Sequence, residues 1–370
     1  MTCFIFSLLW ILVVSCFFLQ SQNIKYKQYQ ISGKVICMVL ISILLFTVSG
    51  LRSVDVGNDT WNYATNVFQY VTCYNDILEL VNDEDQTGKG YWTIFYFISA
   101  ISKSPQMYIL GESFLIVLGT SIYIYRTTKN ISLSFLIFLC CFFVTSMSAA
   151  RQYTGIVIAA NGMVFLCHNL KNLAGWVLIL ISISIHAVNT IVLLGILGIF
   201  LSRRIASAYK LFAISCGATI ALAFIVDIIL PLILEVIFSN YIGYLNLAWD
   251  QNVLESREGM GIGILVLHLL FLLFTLLYCK RAKSRDCGTL EYAMLPSISI
   301  AAVAGMLFYS NAVMPRCFYI FDYMMISFLV ACLSKFQGIK YYVLFILLII
   351  GVSVGYFRVF LVNDYIYSFC

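Results

Sequence analysis

The sequence predicts an all-α, polytopic integral membrane protein with about twelve transmembrane helices and one large extracytoplasmic loop. Three observations carry that prediction. Of the 370 residues, 62% are hydrophobic and only 11% are charged, against roughly 25% charged in soluble domains. The mean hydropathy is +0.96, so lipid is the natural solvent for most of the chain. The apolar residues also gather in runs of roughly 20, the length a helix needs to cross a bilayer.

In chain order the predicted spans are approximately 1–20, 35–51, 105–125, 131–149, 152–168, 172–186, 187–202, 211–238, 260–279, 289–309, 317–334 and 341–357. The first run, MTCFIFSLLWILVVSCFFLQ, lacks the basic start and small-residue cleavage site of a signal peptide and reads as a retained span. Gly90 to Lys103 (GYWTIFYFISAISK) is apolar but short, and is expected to lie as a helix at the outer interface. Leu173 to Leu201 is too long for one span and too short for two with a turn. A break near His186-Ala-Val-Asn189 is therefore expected, leaving two short or tilted helices whose free polar backbone lines a protein cavity.

Lys and Arg orient these spans, because cytoplasmic loops carry the excess of positive charge. If the loop with Lys25, Lys27 and Lys34 is inside, alternation also places inside Arg126 and Lys129; Lys171; Arg203, Arg204 and Lys210; Lys280, Arg281, Lys283 and Arg285; and Lys335 and Lys340. Seven cations stay outside: Arg52, Lys89, Lys103, Arg151, Arg257, Arg316 and Arg358. The stretch 52–104 is then the long extracytoplasmic loop, carrying its interfacial helix, and 239–259 a second outer loop. With no internal repeat or linker, residues 1–370 read as one integral domain.

Composition also excludes function classes. The net charge of +5 is dispersed in short loops and builds no basic face, so no nucleic-acid partner is expected. Thirteen Cys is an odd count without CxxC. Most of them lie in apolar runs, where Cys behaves as a small hydrophobe, so no disulfide scaffold is expected. The P-loop, HExxH, GxSxG and GxGxxG patterns are missing from the sequence, so any reaction must draw on an activated substrate. No cofactor and no metal is expected, since the acidic and His residues show no ligand spacing. Asp83-Glu84-Asp85 spells the DxD of nucleotide-sugar transferases, but it stands in a solvated acidic run on the wrong face for nucleotide sugars.

Five positive features gather at the outer ends of the spans. The first is Val54-Asp-Val-Gly-Asn-Asp-Thr-Trp-Asn-Tyr63. Asp55 or Asp59 suits a carboxylate that orients or deprotonates an acceptor hydroxyl; a solvated turn capping a helix from Asn58 or Thr60 is the other reading. The second is Arg151 with Gly155 and Gly162, which share one helical stripe. A smooth groove there would hold a polyprenyl tail while the guanidinium grips its diphosphate in bidentate fashion; close helix packing is the alternative. The third is His186 at the expected break, suited to moving a proton or, when charged, holding phosphate. The fourth is Pro315 to Tyr323, in which Arg316, Tyr319 and Tyr323 share a face fit for phosphate and sugar, with Asp322 off that face in a local pair or a water contact. The fifth is Arg257 and Arg358, rim cations that add positive field. His168 and His268 read as structural. Glu112, Asp227 and Glu235 fall inside spans, where carboxylates are functional candidates by default.

Together the DVGNDTWNY loop, the ARQYTGIVIA helix start, the ISIHAVN span end and the late PRCFYIFDY segment resemble the EpsG family of bacterial polysaccharide proteins, which are similar to Wzy-type repeat-unit polymerases. The resemblance covers about residues 50 to 330. Arg151 to Gly162 also matches the Arg-x10-Gly pattern of Wzy polymerases, whereas Arg257 and Arg316 do not repeat it. The resemblance implies a GT-C-like architecture in the bacterial inner membrane. It also implies undecaprenyl-diphosphate-linked oligosaccharides as substrates, with a flippase and a chain-length regulator as protein partners. On that basis Arg151 and Arg316 are expected to stabilise the leaving diphosphate and His186 or Asp59 to act as base, while Trp61, Tyr63 and the outer-loop tyrosines grip sugar. A lipid-linked oligosaccharide flippase and an O-antigen-type ligase are the competing readings.

Overall fold

The computed structural model describes residues 23–26, 29–57, 59–83, 88–237, 258–283, 286, 288–308 and 314–362, together with Leu9 and Cys16; side chains 23–26, 29–31, 226–237, 258–264, 314 and 354–362 are outside that description. The first predicted span apart from Leu9 and Cys16, and residues 239–257 of the second predicted loop, with Arg257, therefore lie outside the described residues, as do the side chains of Asp227, Glu235 and Arg358.

Helices dominate. Their order is α1 (Gly33–Gly50), α2 (Phe68–Val71), α3 (Ile77–Asn82), α4 (Lys89–Ser99), α5 (Pro105–Thr127), α6 (Ile131–Ser148), α7 (Ala150–His168), α8 (Leu173–Ile185), α9 (Val192–Ser202), α10 (Ala208–Ile237), α11 (Glu258–Arg281), α12 (Leu290–Leu307), α13 (Met314–Ser334) and α14 (Ile339–Val362). Each apolar segment predicted from residue 35 onward is helical. Among the described residues six helices reach a full membrane crossing by length and apolarity, and Leu173–Ile185, Ala187–Ser202 and Ile339–Ser353 are shorter. An antiparallel hairpin, β1 (Asn23–Tyr26) and β2 (Tyr29–Ser32), pairs Asn23 with Ser32. The fold is helical as expected, and in this short hairpin the polar, Tyr- and Gln-rich connection before α1 satisfies its backbone as a ladder. Ser32 then caps α1, accepting from the Lys34 amide.

The described chain divides into two compact units, 1–165 with 171–190 and 363–370, and 166–170 with 191–362. In the first, α1 packs on α5, and the Ser42 and Ser121 hydroxyls meet at 2.6 Å. Asn161 of α7 donates to the Gly119 carbonyl of α5 at 3.0 Å. Such polar links and small residues are what join helices where neighbouring lipid is as apolar as Leu. The residues between α1 and α5 form a packed cap with its own core of Phe68, Leu80, Tyr91, Trp92, Phe95 and Tyr108. Asp76 caps α3 by accepting from the Leu78 and Glu79 amides, and Asp83 accepts from the Tyr70 and Tyr74 hydroxyls. These carboxylates are engaged locally, as a solvated acidic run would be.

In the second unit α12 is central, contacting α9, α10, α11 and α13. Its buried Ser297, Ser299, Ala301, Ala302, Ala304 and Gly305 permit close approach. Gly305 leaves room for the imidazole of His268, which pairs with Asp322 at 3.1 Å. Asp322 is thus paired between α13 and α11, rather than with a neighbour in sequence as expected, and His268 is its partner.

Candidate functional site

The site is built from the ends of the first unit's helices. Arg52 follows α1 directly and is buried. It donates to the Ser49 and Val56 carbonyls, the Ser113 hydroxyl and the Met147 carbonyl, and its Nη2 lies 3.0 Å from Glu112 Oε1. A buried carboxylate needs such a partner, since an isolated charge at this depth is prohibitive. One guanidinium therefore ties together the end of α1, the start of α5, the end of α6 and the loop between 52 and 60. Beside it lies a cavity of about 10 Å³, lined by Ser49, Glu112, Ser113, Ser146 and Met147 among others.

The loop that follows docks on the same carbonyl. Thr60 Oγ1 donates to Met147 O at 3.2 Å. Gly57 has φ +103°, and a Cβ there would stand 2.6 Å from that oxygen, so only glycine lets the backbone come this close. Asp55 is exposed and accepts from the Ser53 hydroxyl at 3.2 Å. Asp59 is exposed, near enough for its charge to act on Glu112. Trp61 is 52% exposed. Tyr63 turns inward, its ring 5.7 Å from Trp92.

Arg151 opens the first turn of α7, and its guanidinium carbon sits 5.4 Å from the centre of the Tyr63 ring. Gly88 (φ +73°) precedes α4; a Cβ there would lie 2.7 Å from the Ile185 carbonyl and 3.2 Å from Arg151 Nη1. Gly88 thus separates the cation from the end of α8 by the thickness of a bare backbone. The next residue after Ile185 is His186, where α8 stops with extended φ/ψ and a 3-10 turn, Ala187–Ile191, begins. The expected break is there. Asn189 Nδ2 donates to the Ser182 carbonyl at 3.3 Å and Ser182 Oγ to the Gly155 carbonyl at 2.7 Å, so polar side chains answer the interrupted ladder.

Below this cluster the Tyr91 and Tyr108 hydroxyls meet at 2.8 Å. Burial, followed by the charge of Glu112, pushes the Tyr91 hydroxyl well above its ordinary range, with Arg151 opposing. The Tyr91 hydroxyl thus stays protonated and neutral under physiological conditions.

The expected glycine groove is absent. A Cβ on Gly155 would overlap Asn189 Nδ2, and one on Gly162 would stand 3.0 Å from the Gly175 carbonyl and 3.1 Å from Ile179 Cδ1. Both glycines serve the packing of α7 on α8, and no channel for a polyprenyl tail runs between them. In the second unit, Arg316 is exposed, Tyr319 half-buried and Tyr323 fully buried, so the three do not form one accessible wall. Among the described residues no group of His, Cys, Asp and Glu is arranged to hold a metal.

Three of the four segments quoted above, DVGNDTWNY, ARQYTGIVIA and ISIHAVN, meet in this one unit; the fourth, PRCFYIFDY, is in the other. The family model described as EpsG family matches residues 35–369, nearly the whole chain. The chain belongs to the EpsG family. Among curated proteins and among solved structures, none matches. EpsG proteins are associated with Wzy-type polymerases, and membership makes this chain a membrane protein of polysaccharide biosynthesis. Arg52, Gly88 and the Tyr91–Tyr108 pair are parts of this EpsG site that motif reasoning passed over. Two signals pointed toward them: a lone intramembrane Glu112 that required a cation, and the Gly-Lys-Gly at 88–90 opening a helix.

Proposed function

We propose that this EpsG-family chain is a polysaccharide polymerase. It joins undecaprenyl-diphosphate-linked oligosaccharide repeat units by glycosyl transfer at the outer face of the bacterial inner membrane. The observation that carries this reading is the placement of Arg151, set between the Tyr63 ring and the Gly88 backbone beside the His186 break.

In the proposed step, the acceptor hydroxyl oxygen of one lipid-linked unit bonds to the anomeric carbon of another with inversion. The bond from that carbon to the diphosphate oxygen breaks, and the lipid diphosphate leaves with the electron pair. Arg151 stabilises the charge growing on the diphosphate, which a planar guanidinium does with two parallel hydrogen bonds. His186 or Asp59 takes the proton of the acceptor hydroxyl. Trp61, exposed on the same loop, supplies a flat apolar face for sugar. Arg316, exposed in the second unit, is proposed as a phosphate contact in its own right. The leaving group is already activated, so the step needs no nucleotide.

The test is the state of the lipid-linked glycan in a strain deleted for this chain. Single repeat units at the outer face support polymerase. Units trapped inside would point to a flippase and long unattached chains to a ligase, and either result would overturn the proposal.

A further inference from the structure

In the second unit, at the end where Lys and Arg concentrate, an open pocket of about 410 Å³ is lined by Arg281, Lys335, Phe336, Gln337, Ile339 and Lys340. Three cations from three helix ends face one space. Two of the charged heads rest on aromatic rings: the Arg281 guanidinium carbon stands 5.3 Å from the Phe336 ring centre and Lys335 Nζ 4.9 Å from that of Tyr278. Asp286 pairs with Lys335 at 3.0 Å, and the lining residues themselves carry three positive charges and no carboxylate. Helix α14 starts in the pocket wall, and first-turn amides of a helix favour an anion.

A second observation decides what kind of anion. From the pocket onward, Ile339, Tyr342, Val343, Ile346, Leu347 and Ile350 are all exposed, Ile339 by 81%. Their spacing places them on one face of α14. A cationic pocket that opens onto a continuous apolar stripe matches a molecule with a phosphate head and acyl tails. A soluble anion would have no use for the stripe.

We propose that this pocket binds the headgroup of an anionic phospholipid of the cytoplasmic leaflet, its phosphates held by Arg281, Lys335 and Lys340 and its acyl chains lying along α14. Basic pockets between spans on this face are suited to such headgroups. The site is separate from the glycosyl-transfer reading and does not depend on it.

The experiment is native mass spectrometry of the full chain in detergent, titrated with cardiolipin as the probe, with phosphatidylcholine and inorganic diphosphate as the other arms. Cardiolipin is expected to remain bound while phosphatidylcholine does not, with no displacement by diphosphate. The R281Q/K340Q variant is expected to bind cardiolipin about thirtyfold more weakly, roughly fivefold for each cation removed. The charge-preserving R281K/K340R variant is expected to retain it. Should the double variant fail to fold in phosphatidylcholine, K340Q alone, at an exposed position, is expected to lose about fivefold. Equal retention by wild type and these variants would overturn the proposal. Displacement by diphosphate would overturn it too, assigning the pocket to a soluble anion.

Discussion

Arg52 and Glu112 form an ion pair at 3.0 Å in which both side chains are only 1% exposed. The attraction alone does not explain its presence, since desolvation offsets much of the gain of a buried pair. Its distinguishing property is reach: the same guanidinium holds the Ser49, Val56 and Met147 carbonyls. The pair fixes where the loop between 52 and 60 meets the helix ends, and so where Tyr63 faces Arg151.

Removing one partner leaves a buried charge uncompensated. R52A and E112A are each expected to lose about 3–5 kcal/mol of stability, read as a lowered melting temperature in detergent. The double variant R52M/E112L is expected to recover much of that stability without recovering polymer, because the loop has lost its tether. Recovery of both would reduce the pair to a structural role.

Gly57 and Gly217 give opposite expectations for the same substitution. G57A forces a Cβ to 2.6 Å from Met147 O at φ +103°, whereas a Cβ on Gly217 in α10 meets nothing within 4 Å. G57A is expected to lower the melting temperature and polymer yield together. G217A is expected to be neutral or to stabilise by up to about 1 kcal/mol, the helix preference of Ala over Gly.

Close packing at Gly155 predicts a specific rescue. G155A is expected to destabilise through overlap with Asn189, and N189A in the same chain should restore part of the loss. The coupling is measured as a double-mutant cycle of melting temperatures. Additive losses would mean that Asn189 does not fill this space.

Alkaline pH tests the Tyr91–Tyr108 contact. The folded chain holds the Tyr91 proton at a pH where the unfolded chain has released it, because burial raises its pKa. Its contribution is therefore fully present below about pH 10, the unfolded value, and is lost as pH rises toward the folded one. Y91F is expected to show a shallower alkaline loss of melting temperature than wild type. An identical slope would indicate that Tyr91 ionises freely.

Local signals made much of this structure legible. Apolar run length located the helices from residue 35 onward, and Leu173 to Leu201, too long for one span, located the break at His186. Asp322 reads as locally engaged, and nothing near it in sequence points to His268 on another helix as its buried partner. Pairings across sequence were not legible: Arg52 and Glu112 were each conspicuous, but no periodicity links residues in different elements. The glycine stripe misled because small residues on a helix serve a groove and a close contact equally well, and only the neighbouring α8 decides between them. The cap between α1 and α5 was expected as a loop with one interfacial helix, because its short helices are individually too brief to show a period.

The most direct test of the account is the surface-glycan ladder of a deletion strain complemented with R151A at wild-type protein level. The account predicts single repeat units with no ladder, and R151K no better than partial, since an ammonium keeps the charge but lacks the planar fork. A full-length ladder from R151A would contradict it.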